Sequence, residues 1–150
     1  MRVLLFHVGA QRYAVPCRQI VEVLPLVELR LLPRASLSLA GLFTYQGEVV
    51  PVIDLAAAML GTACPERLST RLLVVDVVDE GEKRRLALMV ERVTETMSVD
   101  LAELFASGVK VPEAPYLGEM FVAGALVQIV APDGLLGDEV RALWRSEATG

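Results

Sequence analysis

Apolar residues along the chain fall in short runs broken by glycine, proline or charge, a pattern of β-strands rather than of long helices. Val3 to Val8 predicts a first strand, and Tyr13 to Val15 its hairpin partner across Gly9-Ala10-Gln11-Arg12. Cys17 to Glu22 allows a single helical turn, and Val21 to Leu32 predicts further extended chain interrupted at Pro25. The clearest hairpin joins Leu39–Tyr45 to Glu48–Ile53 through Gln46-Gly47, a tight turn that glycine makes sterically easy. Leu72–Val78 and Leu86–Val90 predict another, joined by the polar loop Asp79 to Arg85, and Val93–Val99 continues it. Two helices interrupt the strands. Asp54 is placed to cap Leu55–Leu60 and Gly61 to end it; Asp138 is placed to cap Glu139–Arg145, whose Val140, Leu143 and Trp144 share one face. The spacing of Gly47, Val49, Val50, Val52 and Ile53 recurs at Gly124, Leu126, Val127, Ile129 and Val130, an echo that suggests two similar hairpins in two similar lobes. Phe105 to Tyr116, with Gly108, Pro112 and Pro115, predicts a mobile connection. Many short strands and few helices predict an all-β barrel or sandwich.

Composition narrows this picture. A hydrophobic fraction of 54% and a mean hydropathy of +0.51 raise the question of a membrane span. A spanning helix needs roughly 20 consecutive apolar residues, and Pro51, Asp54, Asp76 and Asp79 interrupt the most apolar stretches. His7, Gly9, Gln11 and Arg12 cut the N-terminal apolar run short, so it reads as a strand and not as a signal peptide. A length of 150 residues suits one compact domain. Cys17 and Cys64 are too few and too isolated for a disulfide framework or a zinc site, which fits a reducing cytoplasm. A net charge of -5, a pI near 4.9 and scattered basic residues give no footprint for nucleic acid and suit a protein partner better.

Catalytic patterns are scarce. His7, the one histidine, shares an alternating strand face with Val3 and Leu5 and reads as a packed or edge imidazole rather than a general base. Cys17 would serve as a nucleophile only with His7 beside it across the first hairpin, and reads otherwise as a small buried hydrophobe. Glu80 and Glu82 flank Gly81 in a solvated turn, and Asp133-Gly134-Leu135-Leu136-Gly137-Asp138 reads as a turn into a helix rather than a phosphate cradle. No metal cluster, cofactor motif or enzymatic site is expected.

Four stretches, in order, resemble the CheW-like family of chemosensory adaptors from about Val3 to about Leu136. Phe6-His7-Val8-Gly9 through Tyr13-Ala14-Val15-Pro16 to Ile20-Val21-Glu22-Val23-Leu24 is similar to the family's opening hairpin and its Val-x-Glu-Val run. Leu39 to Leu55 resembles its most specific signature, a Gly-rich hairpin ending in Val-Pro-Val-x-Asp-Leu. Leu86 to Val93 resembles a later strand pair, and Tyr116-Leu117 with Gly124 to Ile129 and Leu135-Leu136 the closing hairpin and helix. The resemblance implies one domain over residues 1–150, all-β with short helices, built as two small five-stranded SH3-like β-barrels packed together. It implies a non-catalytic, cytoplasmic scaffold without cofactor, which binds the regulatory domain of a CheA-like histidine kinase and the cytoplasmic tip of a chemoreceptor within membrane-receptor arrays. Neither nucleic-acid binding nor direct membrane insertion is implied. The extent of the match suggests a free-standing adaptor.

The family's partner-binding positions carry over to Ile20, Glu22, Gln46, Gly47, Leu72, Leu73, Ala87 and Val93. Ile20, Leu72 and Val93 read equally as core residues or as lining of a groove. Glu22, a charge within an apolar strand, calls for solvent or a partner. Thr44 and Gln46 depart from the family's Asn-x-Arg-Gly turn, and Glu91 stands where Asp is usual. Exchanging a guanidinium for a neutral amide at residue 46 removes a bidentate carboxylate contact and implies a divergent partner set, in a dedicated pathway rather than the main motility one. The competing expectation is a small-ligand-binding β-barrel whose apolar excess lines a pocket.

Overall fold

The computed structural model describes residues 1–109 and 111–149, with residues 146–149 described by backbone only. The chain is mostly β. Its strands are β1 (Arg2–Val8), β2 (Gln11–Pro16), β3 (Ile20–Pro25), β4 (Leu39–Tyr45), β5 (Glu48–Asp54), β6 (Thr70–Asp79), β7 (Glu82–Ser98), β8 (Leu117–Ala123) and β9 (Ala125–Val130). Helices α1 (Leu55–Leu60) and α2 (Asp138–Thr149) and three short 3-10 turns complete it.

Strand pairing runs β3-β6-β7-β1-β2-β9-β8, with β5 joined in parallel to β7 and β4 to β5. Two groups of five neighbouring strands follow, β4-β5-β7-β6-β3 and β7-β1-β2-β9-β8, with β7 common to both. In each group an antiparallel hairpin lays its second strand parallel to the next one: β5 against β7, β9 against β2. This is the structural counterpart of the repeated Gly-Val spacing. Isolated bridges extend each group further, Arg30 to Leu42 in one and Phe105 to Met120 in the other.

Because β1 pairs on both edges and is covered on both faces, its apolar residues need not alternate. Val3 and Leu5 enter one core cluster with Ala14, Val99, Phe121, Val127 and Ile129. Leu4, Phe6 and Val8 enter the other, with Val50, Val52, Leu72, Leu88 and many more. The continuous run Val3-Leu4-Leu5-Phe6 thus feeds two cores from one strand.

Several local expectations hold. Asp54 caps α1 by accepting from Ala57 N at 3.1 Å, and its other oxygen accepts from Cys64 N at 2.8 Å. Gly61 ends α1 in the left-handed region at φ 76°. Gly41 serves a close approach, since a Cβ there would lie 2.8 Å from the Arg30 carbonyl oxygen that pairs with β4.

Other boundaries move. The helical turn after β2 covers only Cys17–Gln19, β3 ends at Pro25, and the chain to Leu32 keeps one bridge, at Arg30. Glu80 and Gly81, both at positive φ, form a two-residue turn, so the polar segment expected as a loop continues β6 and β7 to their tips, Asp79 opposite Glu82. β7 then runs unbroken through the two segments expected separately. Helix α2 begins at Asp138 itself, with the Gly137 carbonyl accepting from Arg141 N at 3.1 Å. It seats Val140 and Trp144 on the first core, with Arg141 Nε 3.0 Å from Asp79 Oδ1 and Arg84 stacked 5.6 Å from the Trp144 ring. The stretch Phe105–Tyr116 is held at its start by the Phe105–Met120 bridge and turns at Ala114 N to Val111 O, 2.9 Å; Lys110 lies outside the described residues.

Burial, reinforced by the Asp54 and Glu91 carboxylates, pushes the Cys64 thiol up to about 12 from an ordinary 9.0. Below pH 9 folded and unfolded chains both keep this proton. Between about 9 and 12 the unfolded chain releases what the folded chain retains, so stability falls as pH rises through that window. Urea unfolding on either side of the window should show a steeper alkaline loss in the native protein than in Cys64→Ala; equal slopes would contradict this.

Candidate functional site

The sequence-derived positions separate into three groups. Leu72, Leu73 and Ala87 are fully buried, at 0% exposure, so they do not line a surface groove. Of the two readings of Leu72, core or groove lining, its burial is that of a core residue. β6 and β7 lie inside the first five-strand group, where Leu73 pairs with both Val23 and Leu88, and Ala87 with both Val52 and Val74. Ile20 and Val93 are half-buried and pack against the first core from its margin. Glu22, Gln46 and Gly47 are exposed.

Two residues that were not singled out connect Glu22 with the Gln46 turn. Tyr45, the last residue of β4, donates its hydroxyl hydrogen to Glu22 Oε1 on β3. Arg85, on β7, places its guanidinium carbon 5.5 Å from the centre of the Tyr45 ring. Its Nη1 donates to Gln46 Oε1 at 2.9 Å and lies 3.5 Å from Glu48 Oε1, while Nε is 4.0 Å from Asp76 Oδ1. Lys83 adds a second cation 3.5 Å from Asp76 Oδ2.

The local chain explains this convergence. Gln46 and Gly47, at φ 49° and 79°, make a two-residue turn whose twist suits the flanking strands. Asp76 and Arg85 are cross-strand partners, three pairs in from the Asp79–Glu82 tip. The Phe43 ring lies 6.3 Å from that of Tyr45, two residues further along β4. Tyr45 itself is 8% exposed. Its hydrogen bond to Glu22, then burial and the Glu22 charge, hold the phenol above its ordinary 10.0, against an opposing pull from Arg85.

His7 pairs with Arg12 while Pro16, just before Cys17, pairs with Val3, so His7 and Cys17 lie at opposite ends of the first hairpin. His7 Nδ1 is 3.3 Å from the Arg92 carbonyl oxygen. Among the described residues no group of His, Cys, Asp or Glu could hold a metal ion, and no helix is long and apolar enough to cross a membrane. A separate open cavity of about 780 Å³ lies between the segment before β8 and β8 itself, lined by Val109, Val111, Pro112, Pro115, Leu117 and Met120 among others.

Comparison with known proteins agrees with this architecture. The chain belongs to the CheW-like domain family, whose model matches residues 2–140. Its fold is similar to that of the scaffolding protein TtCheW from Thermoanaerobacter tengcongensis, with a TM-score of 0.79 and 18% identity over 93% of this chain and 89% of that one. No curated protein matches the chain.

The tyrosine supplies a direct check. In protein labelled with ¹³C at the tyrosine Cζ, Tyr45 should titrate above its ordinary value, and Glu22→Ala should bring it down by removing the acceptor. An unchanged titration in that variant would dismiss the Tyr45–Glu22 bond.

Proposed function

We propose that this protein is a non-catalytic adaptor that couples a methyl-accepting chemoreceptor to the regulatory domain of a CheA-like histidine kinase. The observation that carries this reading is membership of the CheW-like family across residues 2–140. The protein would act in the cytoplasm, recruited to receptor arrays, as one domain of two five-stranded lobes that share β7. Neither cofactor nor metal enters this role.

Protein docking suits what the surface offers. Glu22, Gln46 and Gly47 form its exposed part, with Ile20 and Val93 at the margin and Leu72, Leu73 and Ala87 supporting it from beneath. Glu22 uses one carboxylate oxygen for Tyr45, which leaves the other for a donor on a partner. Val23 and Val49, 39% and 46% exposed, add apolar area on β3 and β5. An exposed charge beside apolar strand residues supplies orientation as well as buried area. Gln46 in place of the family arginine supports a dedicated partner set.

Titration calorimetry against the regulatory domain of the CheA-like kinase encoded nearest to this protein should give saturable one-to-one binding. Charge reversal, Glu22→Lys, should weaken that binding or the coupling to receptor by about tenfold or more while leaving the unfolding midpoint in place. Undiminished coupling in the variant would remove Glu22 from the docking surface. Failure of the folded native protein to bind either partner would sink the adaptor reading. The cavity beside β8 supports a second reading, a small-ligand module. A thermal shift with apolar metabolites and none with kinase would favour it.

A further inference from the structure

Arg85 is the most connected charged side chain at the exposed end of the first strand group, although nothing in the chain's motifs marks it. From β7 it reaches Gln46 and Glu48 on the β4–β5 turn, Asp76 on β6 and the ring of Tyr45. Its side chain is only 26% exposed, so these contacts are made partly out of water. Gln46, which sits in the left-handed region, has its side-chain carbonyl held by this one guanidinium. Glu22, on the far side, is reached by none of Arg85's own bonds. It is reached through Tyr45, whose ring faces the guanidinium and whose hydroxyl binds the carboxylate.

We propose that Arg85 is a positioning residue for partner docking, joining the Gln46 turn and Glu22 into one pre-arranged surface through its contacts with Gln46 and the Tyr45 ring. This rests on the adaptor reading above, in which that surface meets the partner. The physical requirement is a planar, multi-donor cation. One guanidinium donates to an amide oxygen, lies near two carboxylates and keeps its carbon over an aromatic ring. An ammonium, a point charge with no planar face, cannot hold all four groups together. Pre-arrangement favours binding because the turn and the Glu22 side chain are ordered before the partner arrives.

The test combines kinase binding with Tyr45 titration. Arg85→Gln should weaken binding to the CheA-like regulatory domain by about tenfold, and Arg85→Lys by nearly as much. Combining Arg85→Gln with Glu22→Ala should weaken binding little beyond the worse single variant, because both changes undo the same arrangement. Tyr45 should titrate higher in Arg85→Gln than in the native protein, since the cation that pulls it down is gone. A simple structural prop would give additive losses and full rescue by lysine, and either result overturns the proposal. If the native protein binds no kinase, the adaptor reading fails on its own, and the Tyr45 titration still decides whether Arg85 faces that ring: an unmoved value overturns the positioning role.

Discussion

One strand has to serve two sheets. β7 pairs with β6 and β5 through its first half and with β1 through its second, and the change takes place around Arg92, at φ 43°. Between the pairs Leu5–Glu95 and His7–Glu91 the register slips, so that β7 carries extra residues opposite Phe6. Such a bulge sharpens strand twist and redirects side chains. Here it lets a single stretch of chain leave one core and enter another. The His7 imidazole lies against the Arg92 carbonyl at this point, and Glu91 is buried beside it with Ser69 donating to one carboxylate oxygen.

Much else follows from that crossing. With β7 shared, β1 becomes an interior strand and must be apolar on both faces, as Val3 to Phe6 is. Each five-strand group then has a hairpin at its outer margin, β4–β5 or β8–β9. The β4–β5 hairpin meets β3 through Tyr45 and Glu22 and β7 through Gln46 and Arg85, so segments from distant parts of the chain lie side by side there. α2 closes the neighbouring end by binding Asp79 and Arg84, the residues next to the tip. Beneath this end Leu72, Leu73 and Ala87 are close-packed with no exposed surface.

The departure at residue 46 looks different in this light. With glutamine at residue 46 the turn still meets a guanidinium, because Arg85 brings one from the facing hairpin. That guanidinium sits in a partly enclosed place, with two carboxylates and an aromatic ring around it.

Local chemistry was readable from the order of residues. Asp54 as cap, Gly61 as stop, Gln46-Gly47 as turn and the repeated hairpin spacing all depend on neighbours a few residues apart, and all stand in the structure. The Asp76–Arg85 pair was within reach too. Reading Glu80-Gly81 as a two-residue turn fixes Asp79 opposite Glu82 and, by counting back, Asp76 opposite Arg85. What sequence could not decide was which apolar strand residues face solvent. Leu72, Leu73 and Ala87 sit in apolar runs without alternation, and such runs leave open whether the second face meets water, a partner or another layer of the same chain. Nor could it bring Tyr45 to Glu22 or Arg85 to Tyr45, contacts between strands that are not neighbours in sequence. Alternation and turn chemistry act over a few bonds, whereas those contacts exist only once β3, β4 and β7 have come together in the first five-strand group.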